Sequence, residues 1–235
     1  MAAIHVGTSG YNYPKWRGNF YPSKFPTGKM LPYYSERFRT VEINYSFYRM
    51  PSEATVRNWA LETPAQFTFT LKAPRRITHD QRLRDCRELV ELFCGRASLL
   101  GEKLGMLLFQ LPPNLRVDME RFDRFLEWLP AGVRAAFEFR HDSWHDDQVY
   151  RRLRDRGLAL CVTDSEGSTT PMVATAAYAY FRLRDEGYTE ADLAQWAQDI
   201  RRQAEGLTDV FVYFKHEDEG KGPEFAKTFE RLLGR

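Results

Sequence analysis

The chain has 235 residues, 43% hydrophobic and 28% charged, with a formal net charge of +2 and a pI near 8.4. That length and composition support a sizeable core and exclude an intrinsically disordered chain. The near-balanced charge does not demand a nucleic-acid partner, and no apolar run reaches the ~18 residues of a membrane helix.

Three cysteines, Cys86, Cys94 and Cys161, are odd in number and lack CxxC spacing, so they are expected as reduced thiols of a cytoplasmic protein. The first residues, MAAIHVGTSG, lack the basic and apolar regions of a secretory signal, which agrees with that expectation.

IHVG (4–7) reads as the first strand. An aromatic stretch follows, with Tyr11, Tyr13, Trp16, Phe20 and Tyr21, and then a helical pattern over 28–38. VEINYSF (41–47) alternates apolar and polar side chains as a second strand, and a helix over 52–62 leads to a third, FTFTLKA (67–73). The run from Asp80 to Leu100 predicts one long helix with Leu83, Leu89, Leu92 and Phe93 near one face.

LGMLLFQL (104–111) is the fourth strand, after which Asp118 suits the N-cap of MERFDRFLEWL. AAFEFR (135–140) precedes a helix over 143–156, with Gly157 just past its last turn. LALCVTD (158–164) is followed by SEGSTTPMVATAA, which carries no helical pattern. YAYFRL (178–183) is the seventh strand. Thr189 with Asp192 three residues on then reads as a capping box, and VFVYFK (210–215) and a helix over 224–233 complete the chain.

Eight strand segments alternating with helices predict parallel strands joined by helical crossovers. The expected fold class is α/β: a single-domain (β/α)8 TIM-type barrel over residues 1–235, irregular after strand six. An open doubly wound sheet is the alternative. It would bring a Gly-rich phosphate turn, and GTSGYNY and KGPEF complete neither of the known forms.

In a barrel one parity of each strand faces the helices and the other the axis. Apolar side chains take the helix face, which turns Glu42, Asn44, Lys72, Gln110, Glu138, Arg140, Arg182, Tyr213 and Lys215 inward. Asp164 closes the sixth strand, whose parity is ambiguous, and Ser9 follows the first. Barrel interiors are ordinarily filled by branched apolar side chains, so these charges must pair with each other or meet a ligand.

The bland outcome is a structural ion-pair network. The sharper one is a pocket for a small polar or anionic ligand, held by Arg140, Arg182 or Lys72. Glu42 and Glu138 are then the acid/base candidates, and a desolvated Lys72 is a candidate base or imine-forming group. Glu42, Glu138, Asp164, His79 and His141 are conceivable metal ligands, but no H-x-H, H-E-x-x-H or D-x-D motif appears, so neither metal nor cofactor is expected. His79 and His141 serve equally well as loop caps. Trp16 and its aromatic neighbours, with Trp144, are candidates for a stacking wall or for loop packing.

The stretches GTSGYNYPKWRGNFYP, VEINYSFYRMP, FTFTLKAPRRITH, LGMLLFQLPP, AFEFRHDSW and CVTDS, in this order, resemble the domain of unknown function 72 family, YecE-like, from about residue 4 to 232. The resemblance implies a TIM-type barrel of bacterial or archaeal cytoplasmic proteins and no established activity. The chain departs from that family's pattern twice. Arg182-Leu183-Arg184-Asp185 stands where R-L-H-G is frequent, and Lys215-His216 where an Asn-Asn pair is common.

Three functions compete on these grounds. The favoured one is an enzyme acting by general acid/base chemistry on a small anionic or sugar-like substrate. The others are a metal-dependent nuclease-like or nucleic-acid-binding barrel, which rests on fold analogy, and a non-catalytic metabolite-binding barrel.

Overall fold

Period-2 alternation places one face of each strand against helices and the other toward an axis, and the sheet closes on itself accordingly. The computed structural model describes residues 2–165 and 168–234. Its strands are β1 (Ala3–Ser9), β2 (Thr40–Ile43), β3 (Thr68–Lys72), β4 (Leu104–Gln110), β5 (Ala135–Glu138), β6 (Ala159–Ser165), β7 (Ser168–Thr169), β8 (Tyr178–Leu183) and β9 (Asp209–Phe214). All but β7 run parallel in the order β5-β4-β3-β2-β1-β9-β8-β6, and a β5–β6 pairing closes the ring. β7 is a short antiparallel partner of β6, pairing Thr169 with Asp164.

The helices fall in the crossovers: α1 (Met30–Ser35), α2 (Tyr45–Tyr48), α3 (Glu53–Leu61), α4 (Arg87–Ser98), α5 (Met119–Glu127), α6 (Asp147–Arg156), α7 (Glu190–Gln203) and α8 (Lys221–Leu232). The caps are where side-chain chemistry suggests. Asp118 accepts from the Arg121 backbone N–H at the start of α5, Thr189 and Asp192 form both halves of a capping box, and Gly157 takes φ 61° after α6. Between β6 and β8 the described residues contain β7 and no helix, while Glu166 and Gly167 of that stretch lie outside the described residues.

Two apolar layers result. The outer one packs Val41, Ile43, Phe69, Phe109, Phe137 and Val212 against the helices, and the inner one holds Met106, Leu108, Cys161, Tyr180, Phe211 and Tyr213 along the axis. Burying side chains of this size stabilises by roughly 1.5–3 kcal/mol each. One close approach holds the ring tight. A Cβ on Gly7 of β1 would lie 2.2 Å from the Thr40 carbonyl oxygen of β2. A Gly7→Ala variant is therefore expected to lose about 1–3 kcal/mol in urea unfolding, because backbone rather than a flexible side chain must move.

Three expectations need correction. The second strand ends at Ile43, because Asn44 adopts helical backbone angles (φ −87°, ψ −18°) and Tyr45–Tyr48 forms a helical turn. The stretch 80–100 is not one helix. A π-helical turn spans Arg76–Asp80, Arg82, Leu83 and Asp85 have positive φ, and α4 begins only at Arg87. Its buried stripe is Val90, Phe93, Cys94 and Ala97, while Leu92 is 45% exposed. Finally, Trp16 is fully buried, its indole N–H donating to the Glu217 carbonyl, and it forms no stacking wall. Among the described residues no helix is long and apolar enough to cross a membrane.

Candidate functional site

At the C-terminal end of the barrel the inner layer turns from apolar to charged. Glu42 at the end of β2, Glu138 at the end of β5 and Arg182 near the end of β8 are each fully buried. Arg182 lies between the two carboxylates. Its Nε and Nη2 donate to both oxygens of Glu42 at 2.9 and 2.8 Å, and its Nη1 donates to Glu138 Oε2 at 2.5 Å. Ser9 and Tyr180 hydroxyls complete Glu42; Gln110 Nε2 at 2.8 Å and Arg140 Nε at 3.0 Å complete Glu138. Arg184 Nη1 stands 3.8 Å from Glu138.

This saturation fixes the charge state. Burial alone would raise the pKa of each carboxyl, but for Glu42 the charge of Arg182 and the hydrogen bonds from Ser9 and Tyr180 prevail and lower it. For Glu138, Arg182, Arg140, the Gln110 bond and Lys72 do the same and hold it far below the carboxylate range. A general acid must carry a proton near neutral pH, and a general base needs a free lone pair within reach of substrate. Glu42 has neither, and Glu138 is a weak base with both oxygens engaged. The Glu42–Glu138 acid/base pair is therefore corrected to a structural ion network bridged by Arg182, which is thereby also withdrawn from a direct anion-binding role.

Above the network opens a cavity of about 590 Å³. Lys72 and Gln110 lie in its floor, Arg75 and His79 come from the turn after β3, Arg140 follows β5, and Lys215 and Glu217 follow β9. Asn44, Tyr45, Phe47 and Tyr48 enter from α2, and Tyr13 from the segment after β1. Among the described residues four cations thus face one carboxylate.

Lys72 is the chemically free group. It is 7% exposed, and its Nζ sits 4.0 Å from the Phe47 ring centroid. Its carbonyl accepts from the Ser46 hydroxyl at 2.7 Å, which pins the β3 end to α2. Unlike Arg182, its Nζ makes no ion pair among the described residues within the 4.0 Å at which Lys215 meets Glu217. Burial, and then the charge of Arg182, pull its pKa down to about 7, with Glu138 and Glu42 opposing and Arg140 adding. Burial, and then the charges of Lys72, Arg140 and Arg75, lower the pKa of His79 to about 4, so its imidazole is neutral at neutral pH. Lys215 is lowered by burial and by Arg182 and Arg184.

The other sequence candidates divide. Asn44 donates to Ser9 Oγ at 2.9 Å and lines the cavity. Ser9 lies beneath, engaged with Glu42, Asn44 and Arg182. Tyr213 belongs to the layer below, its hydroxyl shared with Thr40 at 2.6 Å and Thr70 at 3.0 Å, and does not reach the cavity. Asp164 has the helix-facing parity of Leu160 and Val162, and it accepts from the Arg184 backbone N–H and the Tyr188 hydroxyl, so it anchors the loop after β8. His141 caps the turn Asp142–Trp144, accepting from the Ser143 N–H at 3.1 Å. Trp144 is buried with its indole on the Leu115 carbonyl.

The five conceivable metal ligands do not gather, and among the described residues no group of three or more His, Cys, Asp or Glu is arranged to hold a metal ion. Arg75, Tyr45, Phe47 and Tyr48 were not singled out by strand parity, since a helical turn and a π-helical turn carry them to the rim. Arg184 and Lys215 stand at the two departures from the resembled pattern, and both add positive charge to this end of the barrel.

A family model described as "Protein of unknown function DUF72" matches residues 5–235. The chain is 29% identical to the UPF0759 protein YecE of Escherichia coli (strain K12) over 69% of its own length and 59% of that relative, so the match spans about three fifths of YecE. It is 25% identical to the UPF0759 protein YunF of Bacillus subtilis (strain 168), over 98% of this chain and 94% of YunF. The crystal structure of a DUF72 family protein from Thermotoga maritima MSB8 superposes with a TM-score of 0.86 at 28% identity, covering 99% of this chain and all of that one.

Proposed function

From the premise that the chain belongs to the DUF72 family of proteins of unknown function, we propose that it is an enzyme whose barrel mouth binds a small anionic substrate, with Lys72 as its proton-transferring group. The observation that carries this reading is the convergence of Lys72, Arg75, Arg140 and Lys215 on one cavity in which Glu217 is the only carboxylate among the described residues. Such a cavity favours phosphate or carboxylate, which charge-assisted hydrogen bonds hold strongly in a partly desolvated site. An amine with a pKa of about 7 has the balance of free lone pair and basicity that general base catalysis requires. The buried carboxylates keep Arg182 charged and in place, and Arg182 in turn keeps the Lys72 amine partly neutral.

Titration calorimetry at low salt tests the binding half. Glycerol 3-phosphate is expected to bind and to raise the melting temperature, and Lys215→Ala is expected to weaken it about tenfold or more, the loss of one charge-assisted bond of roughly 1.5–3 kcal/mol. Lys215 is the suitable position, since its one ion pair among the described residues, with Glu217, is 4.0 Å long. No binding by glycerol 3-phosphate or inorganic phosphate would overturn the reading. Tight, steeply salt-dependent binding of a single-stranded oligonucleotide instead would favour the nucleic-acid alternative.

A further inference from the structure

Lys72 differs from the other lysines of the chain in its surroundings. Lys103 is held by the Ala60 and Thr63 carbonyls and the Thr63 hydroxyl, and Lys221 pairs with Glu224 at 3.0 Å. Lys24 and Lys29 are exposed. Lys72 alone is buried among the described lysines, and its Nζ lies against the apolar face of Phe47 at the floor of the cavity, with Arg140 and Lys215 on the cavity wall. An amine so placed meets a bound molecule at the end opposite to solvent, while the wall cations hold that molecule's anionic group.

We propose that Lys72 is an imine-forming nucleophile, and that the substrate class is a small aldehyde or ketone bearing a phosphate or carboxylate held by Arg140 and Lys215. The inference rests on the anion-binding reading of the same cavity and adds the electrophile. In the step itself the neutral Nζ lone pair forms a C–N bond to the carbonyl carbon while the carbonyl π pair moves to oxygen, which takes a proton to give a carbinolamine. The nitrogen loses the first of its two protons to regain its lone pair. The hydroxyl takes up a proton and leaves as water with the C–O pair as that lone pair closes the C=N bond, and loss of the second nitrogen proton returns the one the hydroxyl took. The net change is amine plus carbonyl to imine plus one water, with no oxidant or reductant. Protonated, the imine withdraws electrons from the adjacent carbon, which fits the chain for bond making or breaking at that carbon. Burial together with Arg182 supplies the neutral amine near pH 7, and Glu138 and Glu42, which oppose this, are neutralised by Arg182 and Arg140.

Reductive trapping tests this. The full chain is incubated with pyruvate or D-glyceraldehyde 3-phosphate and sodium cyanoborohydride, and the secondary-amine adduct is mapped by peptide mass spectrometry. The expected result is labelling of Lys72 at least tenfold above Lys24 and Lys29, suppressed by the carbonyl-free lactate or glycerol 3-phosphate. If glycerol 3-phosphate stabilises the chain but Lys72 is labelled no faster than Lys24 and Lys29, the imine is overturned and the anion site stands. If glycerol 3-phosphate and lactate neither stabilise nor protect, the anion reading and the inference built on it both fall.

Discussion

An Arg182→Ala variant is expected to lose roughly 3–5 kcal/mol of stability or more, enough to leave much of the chain unfolded. The reason is local. Arg182, Glu42 and Glu138 are each fully buried, and the guanidinium supplies three hydrogen bonds to the two carboxylates. Removing it leaves two carboxylates in the barrel centre with their main counter-charge gone, and truncation opens a cavity beside them. Denaturant unfolding measures the loss. A companion variant separates charge from packing: Arg182→Met with Glu42→Gln and Glu138→Gln removes all three charges at nearly constant volume. It should be more stable than Arg182→Ala alone, since a neutral interior no longer carries unpaired ions. Parent-like stability of Arg182→Ala would remove the structural role assigned to the network. By the same logic Glu138→Gln is expected to destabilise, because it strips a counter-charge from Arg182 and Arg140 together.

Lys72→Met is expected to do the opposite for stability while abolishing the proposed turnover. The folded-state pKa of Lys72 is about 7, against ~10.4 for a free lysine. Below pH 7 the group is charged in both states, and the folded chain bears the full cost of holding that charge out of water. Between pH 7 and pH ~10 the unfolded state binds the additional proton, so stability rises with pH, and above that range the contribution is constant. Methionine keeps the stem's volume and removes the charge. The variant should therefore be more stable than the parent at pH 6, on the order of 1–3 kcal/mol, with the difference shrinking toward pH 10. Thermal unfolding at the two pH values checks it. A stabilising substitution that removes activity is the pattern of a site strained for function.

Much of this was legible in the residues. Apolar alternation locates all eight barrel strands, because one face of each must meet helices, and Asp118 and Thr189 mark helix starts through side-chain acceptors that act within three residues. The same parity turns Glu42, Lys72, Gln110, Glu138 and Arg182 to the axis. What it cannot supply is pairing across the barrel. Lys72 is the nearer neighbour of Glu42 by strand order, yet the carboxylate belongs to Arg182, whose long planar fork reaches two strands at once. Parity also failed where the strand stopped. Asn44 turns helical after Ile43, so Phe47, read as a helix-facing strand residue, lies against the Lys72 amine instead. Trp16 and Asp164 carry the residue types of a binding site, but long-range contacts to the Glu217 carbonyl and to Arg184 and Tyr188 commit them to loop packing.

The claim on which the functional reading turns is that Lys72 presents a partly neutral amine to a bound anion. It is tested most directly by heteronuclear NMR titration of the chain with isotope-labelled lysine side chains, using Lys72→Arg to assign the signal. One resonance, absent from that variant, should titrate near pH 7, and glycerol 3-phosphate should move its midpoint upward, as a nearby negative charge must. A Lys72 signal whose midpoint lies near the ~10.4 of a free lysine, unmoved by the anion, would contradict the account.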